Sequence, residues 1–149
     1  MADIVAPDVR SRMMSGIRGR NTKPEVALRS ALHRRGFRFR LHGRKLPGKP
    51  DMVFPKYGAV IFVHGCFWHG HDCHLFKWPK SRSVFWREKI SGNMNRDREQ
   101  LLELTSRGWR VATVWECAVR GRLRLPIDEV AGRCAAWLRS GEPELDLRG

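Results

Sequence analysis

The chain has 149 residues, 42% of them apolar, which is the size of one domain with one core. Its 29 Lys and Arg against 15 Asp and Glu leave a net charge of +14, more than solubility requires, and the positive charge is interleaved with aromatic residues, which favours nucleic acid over an anionic membrane as partner. No run approaches the roughly 20 apolar residues of a membrane span, and the opening MADIVAPDVRSRMMSG lacks a secretory apolar core, so a cytoplasmic protein is expected, with its four cysteines as thiols or metal ligands rather than disulfides.

In chain order, residues 1–20 carry Arg10, Arg12, Arg18 and Arg20 and read as a basic arm or short helix. NTKPEVALRSALHRRGF then predicts a helix. Thr22 and Glu25 form a capping box, Pro24 sits in the first turn, Leu28, Ala31 and Leu32 make a stripe, and Gly36 stops it. FRFRL, 37–41, alternates as a half-buried strand does, and DMVF and AVIFVH, joined by PKYG, read as a hairpin whose second strand is apolar throughout and therefore central.

The stretch VHGCFWHGHDCH, 63–74, follows, with four histidines, two cysteines and two aromatics in twelve positions. Beyond it, Ser81 or Ser83 caps a helix from about 83 to 106, with Ile90, Met94, Leu101 and Leu104 on one side and Gly108 at its end. WRVATVW is a fourth strand. LPIDEVAGRCAAWLRSG is a last helix with Cys134 in its apolar stripe, and EPELDLRG reads as a frayed polar tail. The order implies an α/β fold, a mixed central sheet flanked by helices, organised as an arm (1–20), a domain (21–140) and a C-terminal tail (141–149).

Cys66, His71 and Cys73 form C-x4-H-x-C, and Cys117 follows directly after the fourth strand. If strands three and four are neighbours, their C-terminal ends bring Cys117 to the loop, and thiolates with one imidazole suit a structural zinc rather than magnesium or calcium. The set with His71 is preferred to sets using His74; the bland alternative is buried thiols and surface histidines. His64 and His69 remain, and both can face one cleft with Asp51, where an acid and two histidines could bind a hard cation and supply a base, although Asp51 also suits a plain turn role in GKPDM.

The segments LPGKPD, VIFVHGCFWHGHDC, FWREKI, NRDR, RGW and VWECA resemble the very short patch repair (Vsr) endonucleases, over nearly the whole chain from about Asp8 to Trp137. The resemblance implies a restriction-endonuclease-like core and nicking of double-stranded DNA 5′ to the thymine of a G:T mismatch, with magnesium for catalysis and one structural zinc. It implies that Asp51 binds magnesium together with the backbone carbonyl of Val63, that His69 acts as base on water, that His64 assists at the phosphate or leaving group, and that Glu25 is a further acid. Many members of the family carry threonine at the position of Val63, so a hydroxyl is missing here. Phe67, Trp68 and Trp86 match residues that enter the DNA from the major groove, Met14 would enter from the minor groove, and Lys89 and Asn93, one and two turns beyond Trp86, are expected DNA contacts. A monomer acting beside other mismatch-repair proteins is expected. Two further readings stay open, a restriction-like or damage-directed nuclease without mismatch preference, and a zinc-stabilised DNA-binding module without catalysis.

Overall fold

Thr22 begins the first helix, α1 (Lys23–Arg34), by accepting the Glu25 backbone N–H on its hydroxyl at 3.4 Å. The expected capping box is used on that side, while the Glu25 carboxylate itself points inward, only 2% exposed, to His42 Nε2 at 3.1 Å. A computed structural model describes residues 22–149, and the basic arm with Met14 lies outside the described residues.

Of the predicted strand FRFRL only β1 (Arg40–Leu41) pairs, because Phe37 is spent in the core, where its ring meets Phe54 and Tyr57. The hairpin forms as expected: β2 (Met52–Phe54) runs antiparallel to β3 (Ala59–His64), with a 3-10 turn at Pro55–Tyr57. Then come α2 (Ser83–Ser106), β4 (Arg110–Trp115), the short α3 (Glu116–Val119), α4 (Ile127–Arg139) and β5 (Glu144–Leu147). The sheet order is β1-β2-β3-β4-β5, antiparallel through β3 and parallel beyond it, so β3 is central as its apolar run requires.

Strand alternation sorts the core into two layers. Met52, Phe54, Ile61, Ala112 and Val114 face α1 and α4, joining Leu28, Leu32, Val130, Cys134 and Leu138; Val53, Val60, Phe62 and Val111 form a smaller cluster with Leu104 of α2. Cys134 is fully buried there, a core residue as expected. Among the described residues no helix is long and apolar enough to cross a membrane.

Two expectations are corrected. The cap of α2 is neither Ser81 nor Ser83 but Arg82, left-handed at φ 53° and without a side-chain cap, its guanidinium lying over the Phe85 ring at 4.3 Å. The polar tail does not fray: ELDL adds to the sheet as β5, parallel to β4, burying Leu147 to 2% exposure, while Asp146 takes the Trp115 indole N–H at 2.7 Å. Arg148 then reaches back to Asp72, donating to its carboxylate at 2.7 Å and its carbonyl at 2.9 Å. Leu147→Ala should therefore lower unfolding stability by roughly 2–5 kcal/mol, read from urea melts, whereas a frayed tail would lose nothing measurable.

Candidate active site and metal centre

The pairing of β3 with β4 sets His64 beside Trp115. Two residues beyond each, Cys66 and Cys117 meet, the Cys117 backbone N–H donating to Cys66 Sγ at 3.3 Å. The loop after β3 doubles back so that His71 Nδ1 lies 3.5 Å from Cys66 Sγ and 3.6 Å from Cys117 Sγ, and with Cys73 the four donor atoms all fall within 4.8 Å of one another. Gly70 permits the reversal: its φ is +59°, and a Cβ there would meet Met94 Sδ of α2 at 2.6 Å.

Burial pushes the Cys66 and Cys117 thiols up, so thiolates there need a positive partner in the site. Three sulfurs and one imidazole, with no carboxylate among them, are a soft, closed donor set that could hold a metal ion. His74 stands outside it, its ring nitrogens buried and pressed against Gly121, where a Cβ would come within 2.9 Å of Nε2. The His71 ring stacks on Trp115, 3.9 Å between centroids and 6° from parallel, so the same indole held by Asp146 also backs the cluster.

A second group forms where β3 ends. His64 continues the Val60 and Phe62 face, toward α2, and its ring stacks on His69 at 3.8 Å. His69 also turns an edge to the Trp115 ring, 6.3 Å between centroids, and meets Asp97 of α2, whose carboxylate lies 2.6 Å from Nδ1. Sequence reasoning missed Asp97, although it extends the spacing of Lys89 and Asn93 by one more helical step of four. His64, Asp97 and His69 offer donor atoms within 4.8 Å of one another. Burial first, and His69 second, hold the His64 imidazole well below its usual range, so it is neutral near pH 7.

Asp51 opens β2 one strand away. Its carboxylate accepts the Val63 backbone N–H at 2.6 Å, which ties it to the residue preceding His64. Burial and then hydrogen bonding to Glu25 push Asp51 up to about 8, while the Val63 N–H pulls the other way. Glu25 is in turn held by His42 and, at 3.8 Å, by Arg29. Two acids enclosed this closely favour a proton or a cation between them, and their oxygens are hard donors.

The family model described as DNA mismatch endonuclease Vsr matches residues 2–75. Over 134 residues the chain is 48% identical to Type II nicking enzyme V.XorIIP of Xanthomonas oryzae pv. oryzae, covering 86% of this chain and 98% of that one. It is 44% identical over 151 residues to DNA mismatch endonuclease Vsr of Escherichia coli, covering 100% of this chain and 97% of the relative, and 44% identical over 122 residues to Type II nicking enzyme V.NmeAIP of Neisseria meningitidis, covering 82% and 87%. The chain belongs to the Vsr DNA mismatch endonuclease family.

This Vsr-family endonuclease acts on DNA, and its histidines open onto a cleft of about 1110 Å³ lined by Val63, His64 and His69 together with Phe67, Trp68, Lys89 and Asn93. Phe67, Trp68 and Trp86 form one aromatic cluster, with centroids 5.2–5.9 Å apart, that belongs to neither hydrophobic core and stays half-buried. Asn93 donates its amide N–H to the Trp68 carbonyl at 2.8 Å, so in this state it holds the aromatic loop onto α2.

The Asp51 shift gives a signed expectation for the metal-free protein. An unfolded aspartate ionises near 3.9 and the folded one only at about 8, so between those values the folded state retains a proton that the unfolded chain releases. Stability should fall as pH rises across that window, and Asp51→Asn should flatten the fall, as read from melts at pH 4 to 9 in chelator. An unchanged pH profile in Asp51→Asn would contradict the assignment.

Proposed function

We propose that the protein nicks double-stranded DNA 5′ to the thymine of a G:T mismatch by magnesium-dependent phosphodiester hydrolysis, initiating very short patch repair. The observation that carries this reading is a single cleft in which the Asp97-held, His64-stacked imidazole of His69 stands beside an aromatic cluster that no core uses. The core is read as restriction-endonuclease-like, with the reacting groups grafted at the ends of β2 and β3.

Magnesium would be held by Asp51 and the Val63 backbone carbonyl, with Glu25 close by; the enclosed, oxygen-rich pair of acids fits a hard cation. When bound, the ion supplies positive charge to the scissile phosphate. With Nδ1 turned to Asp97, His69 keeps Nε2 for taking a proton from the attacking water, and Asp97 orients the ring and stabilises the imidazolium that results. Neutral His64 can donate an N–H to a phosphate oxygen or toward the leaving group. The expected products are a 5′-phosphate and a 3′-hydroxyl in the thymine strand, with the opposite strand intact.

Zinc is the ion proposed for Cys66, His71, Cys73 and Cys117, in a structural role, because the four ligands leave no open position for substrate. Phe67, Trp68 and Trp86 would enter the duplex beside the mispair. Unstacking a base step costs about a few kcal/mol and a mismatch lowers that cost, so insertion itself discriminates.

The test is nicking of end-labelled duplexes carrying G:T or G:C at one position. Wild type should cut only the thymine strand of the mismatch. His69→Ala should slow the step by about 10²–10⁴-fold and Asp51→Ala at least as much, both with mismatch binding kept. Wild-type cleavage of both strands, or of G:C duplex at an equal rate, would contradict the mismatch reading, and full activity of Asp51→Ala would remove Asp51 from the mechanism.

A further inference from the structure

RGRLRLP, 120–126, has no part in the site as described so far. It joins α3 to α4 and exposes Arg120, Arg122 and Arg124 within five residues. The cleft that holds Val63, His64 and His69 is also lined by Arg120 and Arg124, and by Lys23 from the start of α1. With Lys89, the cleft lining carries, among the described residues, four cationic side chains and one acid, Glu116.

That acid is already engaged. Glu116 takes the Arg120 guanidinium at 2.9 Å on one oxygen and the Cys66 backbone N–H at 3.1 Å on the other. Among the described residues of the lining, the remaining cations therefore face an anionic ligand without a competing carboxylate. The Arg120–Glu116 pair is no obstacle, because the Arg120 side chain is 73% exposed and an exposed ion pair exchanges readily for another anion.

The loop is also held in place rather than loosely displayed. Leu125 N–H donates to the Ala118 carbonyl at 2.7 Å, and Arg124 closes the turn on the Gly121 carbonyl through both its backbone N–H and its guanidinium, at 3.2 and 3.0 Å. Gly121, at φ +88°, lies flush against His74 of the thiol-bearing loop, where no side chain would fit. Through Glu116 and Gly121 the arginine turn is thus attached at two points to the loop that carries His69.

We infer that Arg120 and Arg124, with Lys23, form a phosphate-binding wall that holds the DNA backbone in the cleft against His64 and His69. The inference rests on the reading of this cleft as the nicking site. Its ligand is the sugar–phosphate backbone rather than the base edges, so its contribution is the same on matched and mismatched duplex, which separates it from the aromatic wedge.

The experiment compares wild type, the double variant Arg120→Ala/Arg124→Ala, its charge-preserving counterpart Arg120→Lys/Arg124→Lys, and Arg133→Ala as a control, whose guanidinium pairs with Glu129 on α4 and is absent from the cleft lining. Fluorescence anisotropy on G:C and G:T duplexes across a salt series gives affinity and salt slope, and nicking at limiting and saturating duplex gives kcat and KM. The alanine pair should weaken both duplexes alike, by about tenfold or more, and reduce the salt slope by roughly 0.9 for each phosphate that is no longer neutralised. It should raise KM far more than it lowers kcat, while the lysine pair recovers most of the slope and the control matches wild type. Unchanged affinity and slope in the alanine pair, or a loss confined to the mismatched duplex, would overturn the wall. If the alanine pair misfolds, Arg120→Gln/Arg124→Gln replaces it, removing both charges while keeping long polar side chains, and unchanged affinity and salt slope in that pair would overturn the wall. If wild type binds DNA but nicks no duplex, the catalytic reading fails while the anisotropy still tests the wall.

Discussion

The register of β3 on β4 is the constraint from which the site follows. With His64 opposite Trp115, the residues two steps on are Cys66 and Cys117, and their sulfurs and backbone meet at the end of the parallel pair. The same register puts His64 on the α2 side, where Asp97 waits, and puts Trp115 between the His71 ring and the C-terminal strand. A slip by one residue would send each of these side chains to the opposite face of the sheet. The apolar content of AVIFVH and RVATVW, packed on both faces, is what makes such a slip costly.

Around that pair the protein concentrates groups that fold at a cost. Cys66 and Cys117 are buried thiols pushed upward, Asp51 is an acid pushed to about 8 beside a second acid, and His64 is held neutral. Each is an unfavourable arrangement for an empty fold and a favourable one for a fold that binds cations and a phosphodiester. The chain as a whole, at +14, carries the opposite charge to DNA. The excess of 29 basic over 15 acidic residues draws DNA from a distance, whereas His69, Asp97 and the aromatic cluster are the groups proposed to act at one position along it.

Much of this was legible in the sequence because it depends on local patterns. Thr22 and Pro24 mark the start of α1, PKYG marks the hairpin, and an unbroken apolar AVIFVH marks the central strand. The clustering of Cys66, His71 and Cys73 required only one tertiary assumption, that β3 and β4 are neighbours, which brought in Cys117. Asp97 was illegible for the converse reason: it is one charged residue in a 24-residue helix rich in them, and only the loop that brings His69 to α2 selects it. The C-terminal strand was missed because two leucines among polar residues carry little signal until β4 offers them an edge. Arg82 replaced the expected serine cap because its guanidinium gains the Phe85 ring, a contact outside the local capping rules.

His69 lies between Cys66 and His71 on the loop that carries three of the four cluster ligands, so the proposed zinc, by closing that loop onto Cys117, should also hold His69 in its hydrogen bond to Asp97. Proton–nitrogen NMR of protein with 15N-labelled histidine tests this directly, since a ring N–H donated across 2.6 Å to a carboxylate resonates far downfield and exchanges slowly. Such a signal should appear from His69 in the metal-loaded protein, be absent in Asp97→Ala, and be lost when chelation or Cys73→Ser opens the cluster. A His69 signal that survives removal of the metal unchanged would contradict that role of the zinc.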